Sequence, residues 1–252
     1  MGTADHGERY PVISRPGEIE GGLERFKERA RRMAKDSPIV VAFDPTKKLE
    51  LEEAHQLLCS LRGVVSGIKV GLPALFSMGL RALELPRQLE GFLFIFDPKL
   101  ADVGHVDRMI AERVFEAGFD ALIVQPFVGF AGGLEEVVKI KGERGVLAVC
   151  SMSHPGSEEF LNRHTEELLQ RSWSAGVDGF ILPAQRPSLI SQTRSRYPEA
   201  LILSPGVGAQ GALPGSALSA GADFEIVGRA ILSSRNPRKE AEKILEEIRA
   251  RR

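Results

Sequence analysis

The sequence has few cysteines, no long apolar run and no excess charge of either sign, and each shortage excludes a class of protein. Cys59 and Cys150 are too few and too far apart for a disulfide framework or a cysteine zinc site, so we expect a cytoplasmic protein. No apolar run approaches the roughly 20 residues of a membrane-spanning helix, and the first residues lack the apolar segment of a signal peptide. The net charge of −1 gives no overall attraction to nucleic acid or anionic membranes, so any anion site is local.

One unit recurs along the chain: a short apolar run, a polar turn and an amphipathic helical stretch. The predicted strands are 39–43, 65–69, 92–97, 121–124, 146–150, 179–182, 201–203 and 224–227. Helical patterns separate them, for example 51–61, 106–117, 165–174 and 238–248. The strands are almost continuously apolar, as in a parallel sheet that is covered on both faces.

Eight such units predict an α/β protein, a (β/α)8 TIM barrel, which takes about 250 residues. A doubly wound sheet usually needs fewer strands. The phrase Ala-Gly-x-Asp recurs at 117–120, 175–178 and 220–223, just before three of the strands, and its glycine suits the end of a helix. We therefore expect one barrel domain over residues 20–252. It begins with a helix at about 20–35 and is preceded by a flexible arm over residues 1–19.

Charged side chains collect where the first three predicted strands end, which is the active-site face of such a barrel. They are Asp44, Lys69, Asp97, Lys99 and Asp102. Any one of them alone could form a solvated salt bridge. Because Asp97 and Lys99 are two residues apart, an extended strand would point both to the same side, whereas Asp102 has left the strand and can reach another part of a ligand or a neighbouring subunit.

A glycine-rich stretch, Gly206-Val-Gly-Ala-Gln-Gly211, follows the seventh predicted strand. It is a weak dinucleotide fingerprint, because it does not follow the first strand and no acidic residue lies about 20 positions further on. In a barrel, the loops after strands seven and eight commonly bind phosphate. We predict a phosphate site from this loop with Gln210 and Arg229, although a flexible surface loop is the simpler alternative.

The turn after the fifth predicted strand contains Ser153 and His154. Ser153 could hydrogen-bond a heterocycle. A turn histidine beside proline is more often structural or exposed than catalytic, so we do not assign His154 as a base. The remaining histidines are scattered, and we predict no metal site.

Together these segments resemble the orotidine monophosphate decarboxylase family, in particular its archaeal branch. The resemblance rests on Phe43-Asp44, Gly67-Ile-Lys69, Phe96-Asp97-Pro-Lys99-Leu-Ala-Asp102, Met152-Ser-His-Pro-Gly156, Ser204-Pro-Gly-Val-Gly-Ala-Gln-Gly211 and Ile226-Val-Gly-Arg229. It implies decarboxylation of orotidine 5'-monophosphate (OMP) to UMP and CO2 in de novo pyrimidine biosynthesis, with neither cofactor nor metal. It also implies a homodimer.

The resemblance implies a role for each site residue. Lys99 would protonate C6 of the pyrimidine, and Asp97 would lie against the leaving carboxylate. Asp102 would complete the charged network from the partner subunit, while Lys69 and Asp44 would hold the ribose. The remaining contacts would be Ser153 to the pyrimidine and Pro205, Gln210, Gly228 and Arg229 at the phosphate.

Two positions depart from the family pattern, since Val106 replaces a threonine and Ala184 stands where a polar side chain near the base is usual. Two alternatives stay open. One is a Mg²⁺-dependent sugar-phosphate decarboxylase or synthase, whose members share the Asp97–Asp102 run but not the glycine loop. The other is a non-catalytic barrel that binds nucleotide phosphates.

Overall fold

Eight parallel strands pair in sequence order and close into a barrel, with β1 paired to β8. This computed structural model describes residues 25–208 and 211–251. The strands are β1 (Ile39–Phe43), β2 (Gly67–Gly71), β3 (Leu93–Leu100), β4 (Ala121–Val124), β5 (Gly145–Val149), β6 (Gly179–Ile181), β7 (Leu201–Pro205) and β8 (Phe224–Val227). The predicted (β/α)8 barrel is confirmed.

Helices surround the strands. They are α1 (Phe26–Asp36), α2 (Leu51–Ser60), α3 (Leu72–Met78), α4 (Leu85–Gln88), α5 (Gly104–Glu116), α6 (Glu135–Ile140), α7 (Thr165–Ala175), α8 (Pro187–Arg196), α9 (Ser216–Ser219), α10 (Arg229–Leu232) and α11 (Pro237–Arg251). The helix predicted at about 20–35 corresponds to α1, whereas the predicted arm over residues 1–19 lies outside the described residues. Within the described residues, no helix combines the length and apolarity needed to cross a membrane.

The first helix lies against the amino-terminal end of the barrel. Phe26 and Ala30 of α1 are buried among the apolar side chains of the barrel interior. A Cβ atom on Gly145, the first residue of β5, would overlap the Phe26 ring. Glycine at 145 therefore lets α1 cover this end of the barrel, which leaves the opposite end as the open one.

The repeated Ala-Gly-x-Asp phrases have one structural role. Each aspartate accepts the backbone N–H of a residue at the start of the preceding strand at 2.8–2.9 Å, and each also pairs with a basic side chain. The three sets are Asp120 with Phe94 and Arg29, Asp178 with Val146 and Lys141, and Asp223 with Ile202 and Arg194. The glycine before each aspartate has a positive φ, which ends the preceding helix as predicted.

Strand alternation directs one set of side chains into the barrel. Leu93 and Ile95 of β3 belong to the interior apolar cluster, whereas Phe94 and Phe96 pack outward against the helices. The same period of two turns Asp97 inward. In β2 the pairing begins at Gly67 rather than at the predicted residue 65, so Lys69 lies in the middle of its strand, opposite Ile95.

Candidate active site

Four of the predicted charged residues form one continuous network at the open end of the barrel. The Lys69 ammonium lies 2.9 Å from Oδ2 of Asp97 and 3.4 Å from Oδ2 of Asp44. Nζ of Lys99 lies 2.9 Å from both carboxylate oxygens of Asp97. Positive and negative charges therefore alternate along the network, and each lysine is held by a carboxylate.

Burial and neighbouring charges shift the pKa values of Lys69 and Asp97 in opposite directions. Only 10% of the Lys69 side chain and 7% of the Asp97 side chain are exposed. Burial alone would lower the pKa of Lys69, but Asp97 and Asp44 raise the pKa above its ordinary value. Burial would likewise raise the pKa of Asp97, but Lys69 and Lys99 lower it. Both groups are therefore charged at neutral pH, and neither acts as a neutral acid or base there.

Lys99 meets Asp97 through a distorted backbone, not through the regular strand predicted from the sequence. Its φ is +51°, and among the described residues Lys99 alone combines a positive φ with a side chain. The pairing of β3 with β4 shifts register between Phe96 and Leu100. Pro98 has no N–H to donate to the sheet, which accounts for a break at this point. A left-handed lysine costs about 1–2 kcal/mol, and strain of this kind is typical of functional sites.

The network faces a cavity of about 650 Å³. Apolar side chains from four strands form its floor: Ile123, Val149, Ile181 and Ile226. The predicted site residues that line it are Asp44, Lys69, Asp97, Lys99, Ser153, Pro205, Gly228 and Arg229. Asp102 does not line this cavity, and Gln210 lies outside the described residues. No group of three or more His, Cys, Asp or Glu side chains in the described ranges is placed to hold a metal ion.

The described ends of the glycine loop after β7 are held together, and Gly208 lies beside Ala230 of α10. Gly208 donates its N–H to the carbonyl of Ala212 at 2.9 Å, and Val207 and Ala212 form an isolated bridge. The Val207 side chain is buried, while Arg229 is exposed at the edge of the same cavity. Backbone groups at Gly206 and Gly228 and the Arg229 side chain therefore line the same cavity as the charged network, after β7 and β8.

A buried amide, which the sequence analysis did not single out, organises the turn that contains Ser153. Oδ1 of Asn162 accepts hydrogen bonds from the Ser151 hydroxyl at 2.9 Å and from the Met152 N–H at 3.0 Å. Its Nδ2 donates to the Met152 carbonyl, and Arg186 donates to the Ser151 hydroxyl from the next loop. Ser153 and His154 are exposed at the cavity. Asn162 is eleven residues from Ser151, so no local pattern pointed to this contact.

Asp102 is exposed, and its carboxylate accepts the N–H of Val103 at 2.7 Å. Its backbone N–H donates to both carboxylate oxygens of Asp107, at 3.2 and 3.3 Å. Asp107 is buried, and burial raises its pKa. Val106 is half-buried beside it, and Ala184 is buried with its N–H bonded to the Pro205 carbonyl.

Comparison with known proteins agrees with this geometry. Residues 37–244 match the family model described as "Orotidine 5'-phosphate decarboxylase / HUMPS family". A curated relative, the orotidine 5'-phosphate decarboxylase of Aeropyrum pernix, is 42% identical over 84% of this chain and 89% of its own length. The enzyme of Methanosarcina mazei is 39% identical over 86% of this chain and 98% of its own length.

Solved structures show the same likeness. The crystal structure of orotidine 5'-phosphate decarboxylase from Pyrococcus horikoshii OT3 superposes with a TM-score of 0.73 at 38% identity, covering 84% of this chain and 99% of that one. The enzyme from Metallosphaera sedula gives a TM-score of 0.74 at 33% identity, covering 85% and 99%. The chain belongs to the orotidine 5'-phosphate decarboxylase / HUMPS family.

Proposed function

We propose that this chain decarboxylates OMP to UMP and CO2 in pyrimidine biosynthesis, with Lys99 as the proton donor to C6. One observation carries the proposal: the Lys99 ammonium is held 2.9 Å from both oxygens of a buried carboxylate, on a strained backbone, at the wall of the cavity. Such strain persists only where the surrounding structure enforces it. In the proposed complex, the Lys99 ammonium contacts C6 of the bound substrate.

The proposed reaction breaks the bond between C6 and the carboxylate, and the electron pair stays on C6. The Lys99 ammonium stabilises this developing charge and then transfers its proton to the carbon. Asp97 is anionic, so a substrate carboxylate lying against it meets a like charge that is relieved when CO2 leaves. The electrostatic action of Lys99 does not depend on this ground-state repulsion.

The remaining cavity residues suit the other parts of the nucleotide. Lys69 and Asp44 would hold ribose hydroxyls, and Ser153 would hydrogen-bond the pyrimidine. The phosphate would lie at Pro205, Gly228 and the exposed Arg229, with Gln210 as the further predicted contact. Binding energy from this remote phosphate supports the positioning of C6 at Lys99.

We also propose that the active unit is a homodimer in which Asp102 of one subunit completes the site of the other. Large apolar side chains are exposed on the segments that follow β2, β3 and β4, which are neighbours in the barrel. They are Leu72, Phe76, Leu80, Val103, Met109, Ile110, Phe127 and Phe130. Clustered exposed apolar residues mark interaction surfaces, and the exposed Asp102 lies next to Val103 within this face.

The state of the cysteines supports the proposed cytoplasmic location. Cys59 and Cys150 are both free thiols. Cys150 is buried directly after β5, and burial raises the pKa of its thiol, which makes it unreactive. Unpaired cysteines are typical of proteins that work in a reducing compartment.

Replacing Arg229 with alanine is expected to raise the apparent KM for OMP by roughly 10- to 100-fold, because hydrogen bonds to charged groups contribute about 1.5–3 kcal/mol. Initial rates over a range of OMP concentrations measure the effect. Arg235→Ala is the matched control, since Arg235 is also exposed but does not line the cavity. An unchanged KM in Arg229→Ala would remove this residue from the phosphate site.

The proposed activity is tested by incubating the EDTA-treated chain with OMP and following the fall in pyrimidine ultraviolet absorbance. We expect turnover that added Mg²⁺ does not increase. A parallel assay offers a sugar-phosphate β-keto acid with Mg²⁺. Turnover of that substrate alone would favour the metal-dependent alternative, and UMP binding without any turnover would favour a binding barrel.

A further inference from the structure

We propose that Glu225 is a positioning residue for phosphate binding, which it supports by fixing the segment that follows the glycine loop, at Gly215 and Ala217, to the barrel. Glu225 lies on β8, three residues before Gly228 and four before Arg229. Its neighbours Phe224 and Ile226 belong to the barrel interior, so its side chain faces outward, towards the helices. The proposal rests on the function proposed above, because it concerns the phosphate of the same substrate.

The carboxylate of Glu225 is completely buried and used for backbone contacts. Its Oε2 accepts the N–H of Gly215 at 2.8 Å, and its Oε1 accepts the N–H of Ala217 at 3.0 Å. Burying a charged side chain is costly unless its hydrogen-bonding capacity is used. Isoleucine or valine is the ordinary choice for an outward position on such a strand, so a glutamate here calls for a specific reason.

The described residues of the glycine loop are tied to each other on either side of positions 209 and 210. Gly208 bonds to Ala212, and Gly211 donates to the Gly208 carbonyl. At the amino-terminal end, the Gln185 amide donates to the Gly206 carbonyl at 3.0 Å. Glu225 supplies the corresponding contact where the loop enters α9.

Glu225 thus joins the two halves of the phosphate site. The strand that bears it leads directly into Gly228 and Arg229, and its side chain holds the segment that follows the loop. Hydrogen bonds to a charged acceptor are stronger and shorter than neutral ones. Through them, the segment that follows the loop is tied to the strand that leads into Arg229, which limits the rearrangement needed to bind one phosphate between the two.

The test compares binding of UMP with binding of its nucleoside, uridine, by calorimetric titration, with the weaker ligand measured by competition. In Glu225→Ala we expect the Kd of UMP to rise about tenfold, within the usual range for coupling between sites, while the Kd of uridine changes less than twofold. Glu225→Gln keeps the shape and one acceptor oxygen. In Glu225→Gln we expect a smaller rise in the Kd of UMP and no change in the Kd of uridine. This variant also provides the test if the alanine variant does not fold.

Asp120→Asn is the control for a general loss of stability. Asp120 is a buried carboxylate that also accepts a backbone N–H, but it precedes β4 at the amino-terminal end of the barrel and does not line the cavity. We expect it to lower the melting temperature and to leave the ratio of the two Kd values unchanged. Equal weakening of both ligands in the Glu225 variants, or an unchanged UMP affinity, would overturn the inference. Failure of the proposed function would instead appear in the unsubstituted chain, as equal affinity for UMP and uridine.

Discussion

Lys99→Ala is expected to lower kcat for OMP by at least about 10⁴-fold, since general acid catalysis and electrostatic stabilisation each contribute about 10²-fold or more. The variant loses both, because the same ammonium faces the developing charge and delivers the proton. Rates are measured by the fall in ultraviolet absorbance at saturating OMP. Lys35→Ala, which removes an exposed lysine from α1 at the other end of the barrel, is expected to keep the full rate.

A second variant separates charge from proton transfer at the same position. Lys99→Arg keeps a positive charge beside Asp97, but a guanidinium does not release its proton under these conditions. We therefore expect it to stay below about 1% of the native rate, in line with the loss of a general acid. Native turnover in Lys99→Ala would end the assignment of Lys99 as donor, and native turnover in Lys99→Arg would leave it only an electrostatic role.

Mixed dimers of two inactive variants are expected to regain activity if Asp102 acts across the subunit interface. Removing one partner of a buried charged contact costs about 3–5 kcal/mol, so Asp102→Ala alone should lose at least about 10²-fold in rate. When Lys99→Ala and Asp102→Ala are unfolded and refolded together, half of the dimers are mixed. One site in each then has both residues. The mixture should therefore reach about a quarter of native activity.

The matched control mixes Lys99→Ala with Asp97→Asn. Asp97 and Lys99 contact one another within a single chain, so every site in these mixed dimers lacks one of the two. We expect no recovery. Recovery of activity in both mixtures would mean that a residue other than Asp102 is also contributed across the interface. Recovery in neither mixture would contradict a site shared between subunits.

Much of this site follows from strand periodicity. Alternation along β3 places Asp97 inside the barrel with Ile95, and the pairing of β2 with β3 brings Lys69 beside it. The order of the strands then sets the glycine loop and Arg229 on the neighbouring β7 and β8. These features depend on a period of two residues and on chain order, both of which can be predicted from the sequence.

The remaining features depend on contacts between distant segments. The left-handed backbone of Lys99 reflects the broken pairing of β3 with β4, and the sequence analysis assumed a regular strand there. No sequence motif marks Asn162 or Glu225. The role of each depends on hydrogen bonds from backbone N–H groups that only the tertiary fold brings close. The sequence does offer one sign of the Glu225 contact. Glu225 is a charged residue within the otherwise apolar strand from Phe224 to Val227, which indicates a specific partner.

In the proposed reaction, C6 of the substrate loses its carboxylate at Lys99 and gains a proton there. Turnover of OMP by the unsubstituted, metal-free chain in deuterium oxide, with the product examined by NMR and mass spectrometry, follows both changes at once. We expect UMP with a single deuterium at C6 and one CO2 released for each UMP formed. Tight binding of UMP without release of CO2 from OMP would contradict the proposed reaction.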